Sequence, residues 1–198
     1  MNDIATQTKN ALTFVKKLHF EISFFIKEIE GLLLEEKERF TILKPAGYSV
    51  TSRTSSGLDS AGVEFWMPKD FTVFFCTEEF TDSTKGTTTT KFQEGLKILF
   101  MHIRLSNHNI DEPKIFFGVL YDIKPKKEDI NKFEKIVWVF SYLATKVLSQ
   151  NQKINFEGNS SSFKGKYLQK NLLSIQSSGD VKKRIVEPLI KIFNDIKT

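Results

Sequence analysis

The chain is poor in cysteine, proline, tryptophan and arginine: one Cys, five Pro, two Trp and only Arg39, Arg53, Arg104 and Arg184 among 198 residues. The single Cys76 cannot close an internal disulfide, which argues against a disulfide-stapled secreted domain. No linker rich in proline, glycine or charge divides the sequence, so one domain over residues 1–198 is expected. Apolar runs are short. The longest uncharged one, Ile136 to Thr145, is about half the ~20 residues a membrane-spanning helix needs. Met1-Asn2-Asp3 lacks the basic and apolar regions of a signal peptide. The expectation is a cytoplasmic protein with no membrane partner.

Motifs for common cofactors are also missing. His19, His102 and His108 show no zinc-motif spacing with one another or with Cys76. Gly86-Thr87-Thr88-Thr89-Thr90-Lys91 lacks the second glycine that a phosphate loop needs to cradle phosphates with backbone amides. No cofactor and no metal is expected.

What the chain does have is phenylalanine and lysine. With 40% hydrophobic and 27% charged residues it has globular rather than disordered composition. Nineteen Phe against four Tyr predict a Phe-rich core. The net charge is +5, carried mostly by lysine. Specific phosphate and base recognition leans on the planar arginine fork. The positive balance therefore leaves nucleic acid as a partner class without specifying it.

Periodicity divides the chain into helical and extended parts. Ala11, Phe14, Val15, Leu18, Ile22, Phe25, Ile29 and Leu32 recur at three- and four-residue steps and predict a helix over 4–37, bent or frayed near Gly31. From Phe40 to Ile123 the pattern turns to alternation. Val63-Phe65-Met67 and Phe71-Val73-Phe75, joined by Pro68-Lys69-Asp70, predict a hairpin. Leu96–Leu105 and Ile115–Asp122 are apolar on both faces, as central strands are, and a polar connection predicts a second hairpin between them. Thr81–Lys91 reads as a loop or edge strand. Ile130, Phe133, Ile136, Val137, Phe140, Leu143, Val147 and Leu148 predict a helix over 127–150. Ile154 and Phe156 suggest a short strand, and Lys166–Gln176 a strand or irregular segment. A last helix over 178–197 opens on a Ser177-x-x-Asp180 capping box and is kinked or restarted at Pro188. The expected fold is α+β: a mostly antiparallel sheet of four to six strands within residues 40–123, packed with three helices.

Candidate sites follow from this layout. A Cys76–His102 nucleophile pair is one reading; a buried hydrogen-bonded histidine and a thiol acting as a small apolar group is the other. Lys164, Lys166, Lys170, Lys182, Lys183 and Arg184 occupy a span whose one acid is Asp180, so they could form a basic patch for nucleic acid or another anion. Arg53, within the hydroxyl-rich Tyr48–Ser60, is a further anion-binding candidate. Glu28, Glu30, Glu35, Glu36 and Glu38 gather near the end of the first helix, where the helix dipole prefers cations. They read either as a solvated face or as a match for a basic partner.

The order helix, antiparallel strands, helix, strand resembles the core of the PD-(D/E)xK nuclease superfamily. That resemblance implies Mg²⁺ held by Asp122 of Asp122-Ile123-Lys124 together with Asp111 or Glu112. Glu35-x-Lys37, Asp180-x-Lys182 and Asp195-x-Lys197 repeat the acid-x-Lys form, so it recurs as composition alone supplies it. With no triad, metal cluster or nucleotide loop, the leading expectation is a non-enzymatic binding protein. It would be a subunit or partner of a larger bacterial or phage-type assembly, engaging a protein partner or a second copy of itself. The alternative is a nucleic-acid-binding or Mg-dependent nuclease-like protein.

Overall fold

A computed structural model describes residues 2–44, 47–51, 70–84, 87–90, 93–105, 112–125, 136, 148, 152–159 and 161–197. The long helix α1 spans Asn2–Glu35 and runs unbroken through Gly31. Among the described residues nine strands follow: β1 (Phe40–Ile42), β2 (Tyr48–Thr51), β3 (Asp70–Thr77), β4 (Thr81–Thr84), β5 (Thr87–Thr90), β6 (Ile98–Arg104), β7 (Lys114–Pro125), β8 (Lys153–Glu157) and β9 (Ser161–Asn171). The chain ends in helix α2 (Ser178–Val181), a π-helical turn (Lys182–Val186) and helix α3 (Glu187–Asp195).

Seven strands form one sheet in the order β1-β3-β6-β7-β9-β8, with β2 also on β3, and β4 pairs with β5 in a separate ribbon. All pairings are antiparallel. The α+β reading therefore holds. The sheet is larger than the four to six strands expected, and it does not end at residue 123. β9 runs beside β7 over its whole length and carries β8 on its far side. Its alternation is Phe163, Gly165 and Tyr167 against Lys164 and Lys166, so glycine and lysine hide its strand character from a search for apolar runs.

Two helical bodies are described rather than three. The expected helix over 127–150 lies outside the described residues, apart from Ile136, which is helical and buried, and Leu148. Phe133, Val137, Phe140 and Leu143 fall in the same gap. The hairpin expected between 63–67 and 71–75 is not the pairing that β3 makes. Residues 63–67 are not among those described, and β6 takes one edge of β3 while β1 and β2 take the other. The hairpin of β6 and β7 forms as expected, with Arg104 opposite Lys114.

Alternation sends side chains to two separate cores. Val73, Phe75, Leu99, Met101, Ile103, Ile115, Phe117 and Val119 point to one face, where Ile22, Ile29 and Leu33 of α1 and Val181, Ile185, Val186 and Leu189 of the C-terminal helices cover them. Phe74, Cys76, Ile98, Phe100, Phe116, Leu120, Phe163 and Tyr167 point to the other, with Leu43, Ile136 and Ile154. Phe side chains recur in both cores, as composition predicted.

The C-terminal helix is seated by polar contacts at both ends. Ser177 Oγ accepts from the Asp180 amide, and Asp180 Oδ2 accepts from the Gln176 amide and the Ser177 hydroxyl. The Gln176 amide bond comes first among the influences that hold the Asp180 carboxyl below its usual range. This is the capping box seen in the sequence. At the far end, Lys97 Nζ donates to the carbonyls of Phe193 (3.1 Å) and Ile196 (2.7 Å) and lies 4.5 Å from the Phe193 ring centre. A lysine there satisfies carbonyls that the helix cannot, and its charge suits the dipole. Pro188 sits near the start of α3, directly after the π turn in which the Glu187 amide reaches back to the Lys182 carbonyl. Widening the turn there accommodates a proline that has no amide to donate and whose ring would crowd the preceding turn.

Phe117 is fully buried in the helix-covered core. Truncation to Ala should cost about 3–5 kcal/mol in urea unfolding. Gly118 faces Tyr167 across β7 and β9, and a Cβ there would stand 2.1 Å from the Lys166 carbonyl oxygen. Gly118→Ala should therefore destabilise as severely despite adding one methyl, whereas Gly31→Ala, with nothing within 4 Å, should be neutral or stabilising.

Candidate functional site

The buried polar cluster of the sheet is built on β3 and β6. Antiparallel register places Asp70 opposite Arg104 and Thr72 opposite His102. Because residues two apart share a face, all four side chains converge on the face that carries Phe74 and Phe100. Arg104 Nε donates to Asp70 Oδ1 at 2.9 Å, and Arg104 Nη2 lies 3.1 Å from His102 Nε2. A guanidinium only donates, so His102 Nε2 must accept. The ring proton is then on Nδ1, which donates to Thr72 Oγ1 at 2.8 Å.

This arrangement fixes a neutral imidazole. Burial first, and then the adjacent Arg104 charge, lower the His102 pKa well below its ordinary value of 6.5. Both ring nitrogens are engaged and the residue is fully buried, so His102 has neither a free lone pair nor access to a substrate. The cluster joins two strands through oriented hydrogen bonds. One register satisfies all of them, whereas a slip would bury an arginine without its carboxylate.

The Cys76–His102 pairing does not occur. Cys76 is four residues from Thr72, the partner of His102, which is about 13 Å along the strand at 3.3 Å per residue. The Phe74–Phe100 pair lies between them. Cys76 is buried, its Sγ is 3.6 Å from Thr90 Oγ1, and burial pushes the thiol pKa upward, opposite to what a nucleophile needs.

The acids of the nuclease resemblance are separated as well. Glu112 precedes β7 and bonds to Asn171, while Asp122 lies near the other end of that strand. The separation along the strand from Lys114 to Asp122 is about 26 Å. Asp122 has φ 50°, at an irregularity in the β7–β9 pairing, and its carboxylate holds Lys164 at 2.9 Å. That hydrogen bond raises the Lys164 pKa. Asp111 lies outside the described residues. Among the described residues no three of His, Cys, Asp and Glu are placed to hold a metal ion.

The predicted basic residues separate into two groups. Lys164, Lys166 and Lys170 are exposed on one face of β9, and Lys153 of β8 lies directly opposite Lys166. Sequence reasoning missed Lys153, because its place depends on the β8–β9 register. Facing like charges disfavour a strand pair, so this strip is an electrostatic cost that an anion would relieve. Lys182 and Lys183 are exposed on the π turn. Arg184 turns back to the chain: it donates to the carbonyl and hydroxyl oxygens of Ser174. Arg53 lies outside the described residues.

The third feature is α1. Every residue from Asp3 to Phe14 is exposed, a length of about 18 Å at 1.5 Å per residue. Ala11 and Phe14, expected on the buried stripe, are therefore uncovered, and burial begins around Leu18 and Ile22. Ile4, Leu12, Phe14, Phe20, Phe24 and Leu34 are six of the eight large apolar side chains exposed among the described residues. Of the acidic group, Glu30 pairs with Lys27 at 2.6 Å, and Glu28 bonds to Ser178.

Comparison with protein-family models, with curated proteins and with solved structures finds no match to this chain. Among the described residues, no helix is long and apolar enough to cross a membrane.

A buried neutral histidine couples stability to pH. The unfolded chain takes up a proton near pH 6.5 and the folded one does not, so the unfolded state binds more protons below that pH. Folding stability should fall as pH drops from about 6.5, by up to ~1.4 kcal/mol per pH unit, until the lowered folded pKa is reached. His102→Asn should lose this slope. Urea unfolding of both proteins between pH 7.5 and 5 measures it, and equal slopes would show that His102 is not the linked group.

Proposed function

We propose that this chain is a non-enzymatic interaction protein whose binding element is α1. The observation that carries the proposal is the concentration of exposed Ile4, Leu12, Phe14, Phe20, Phe24 and Leu34 on one helix. Scattered exposed apolar side chains are normal on a protein surface, but Phe20, Phe24 and Leu34 fall within about 80° of one another on the helix, and such a set marks a place where another surface belongs. A helix exposed over Asp3 to Phe14 also gains from a partner, because isolated helices of such length are marginal in water. Such a chain fits a subunit of a larger assembly. The inaccessible His102 and the buried, high-pKa Cys76 support the non-enzymatic part of the reading. The purified protein should show no Mg²⁺-dependent turnover of DNA, RNA, nucleotides or esters. Turnover abolished by Asp122→Asn would overturn the proposal in favour of the nuclease alternative.

A second reading is favoured by the Lys153–Lys166 opposition: the exposed face of β8 and β9 is an anion-binding surface suited to a nucleic-acid backbone. Binding would release counterions, so the affinity for duplex DNA should fall with salt at a log–log slope of about −0.9 per phosphate contact. Replacing Lys153, Lys166 and Lys170 by Gln should flatten the slope by up to about three units, with unfolding midpoints unchanged or slightly raised. Fluorescence anisotropy from ~50 to ~300 mM salt reads it. An absence of binding at ~50 mM salt would assign the positive charge to composition.

A further inference from the structure

We infer that α1 pairs with the α1 of a second copy of this chain, antiparallel, about a two-fold axis near Ile22. The inference rests on reading α1 as an interaction element, and it names the occupant. At 3.6 residues per turn, Thr13, Phe20, Phe24 and Gly31 fall within about 40° of one another on the helix. All four are exposed, and a Cβ at Gly31 would meet nothing within 4 Å, so this face points away from the sheet into open space. Their spacing is symmetric. Phe20 and Phe24 lie two residues either side of Ile22, and Thr13 and Gly31 lie nine residues either side.

A face with that symmetry complements itself when reversed. The two-fold sets Phe20 against Phe24 of the second copy, and Thr13 against its Gly31. Large residues meet at the centre, and small ones at the ends let the backbones approach. A two-fold dimer uses the same patch on both copies, so the match is made twice. A parallel alignment also brings like residues together, but charge separates the alternatives. Lys9, Lys16 and Lys17, with Asp3, make the first half of α1 basic. Glu21, Glu28, Glu30 and Glu35, with Lys27, make the second half acidic. Antiparallel pairing places the basic half on the acidic half, whereas parallel pairing stacks like on like. Lys17 and Glu28 lie on the same flank of the Phe face and on opposite sides of its centre, so they meet across the interface twice. Lys16 faces Lys27 on the other flank, where the Lys27 ammonium is already tied to Glu30 at 2.6 Å.

The purified chain should sediment as a dimer at high concentration and dissociate on dilution, because one helix face is a small interface. Phe20→Glu with Phe24→Glu should leave a monomer with an unchanged melting temperature, since both side chains are exposed. Lys17→Glu alone and Glu28→Lys alone should each weaken the dimer by roughly tenfold, and the double variant should recover most of that loss. Recovery is specific to the antiparallel alignment, because a parallel one never brings residues 17 and 28 together. Glu28 also touches Ser178, so if Glu28→Lys unfolds the chain, the Phe20 and Phe24 variant and Lys17→Glu still decide. A wild-type monomer at ~500 µM, or no effect of Lys17→Glu on a dimer, would overturn the pairing. Neither result touches the non-enzymatic reading, which the turnover assay tests separately.

Discussion

A sheet whose central strands are apolar on both faces must be covered on both sides, and the rest of the structure follows from that constraint. β6 and the first half of β7 have no solvent face: every residue from Ile98 to Arg104 and from Ile115 to Leu120 is buried. One cover is supplied by α1 and the C-terminal helices together. Neither helix is wide enough alone, so one early and one late segment must meet on the same face. The Lys97 and Ser177–Asp180 contacts seat the late one. The other cover includes Leu43, Ile136 and Ile154, drawn from distant parts of the chain.

Burial on both faces also explains the polar cluster. A strand with Phe, Met, Ile and Leu on each side carries little information about register, because a one-residue slip exchanges one apolar face for another. Asp70, Thr72, His102 and Arg104 supply the missing information. Their hydrogen bonds link residues directly opposite one another on β3 and β6. Replacing such a group with apolar residues can be neutral in stability, so its value lies in selecting one pairing over its neighbours.

Much of this was legible in the sequence, and the exceptions have physical causes. The β6–β7 hairpin could be read from its two-sided apolar runs, and the last helix from its Ser177–Asp180 cap and Pro188. β9 was obscured because Gly165 supplies no side chain to the pattern and lysines occupy its other face. Strand partners beyond that hairpin could not be read. Phe71-Val73-Phe75 invited the nearest apolar run, but its two edges went to β6 and to β1 with β2. Pairing depends on where distant segments lie, not on local alternation. The same limit hid the site. His102 was visible as an isolated histidine, but Asp70, Thr72 and Arg104 join it only once register is known. On α1, periodicity marked a stripe that is buried or half-buried from Leu18 onward but gave no sign that its residues up to Phe14 stay exposed.

The position of the C-terminal helices has a consequence during synthesis. β3, β6 and β7 emerge from the ribosome well before Val181, Ile185 and Leu189, which complete the cover of their helix-facing side. β9, which takes the edge of β7, is also made late. For tens of residues of elongation the nascent chain therefore carries an open β edge and a sheet face rich in Phe, Met and Ile, both of which favour association with other chains. Closure of that face has to await Val181 to Leu189.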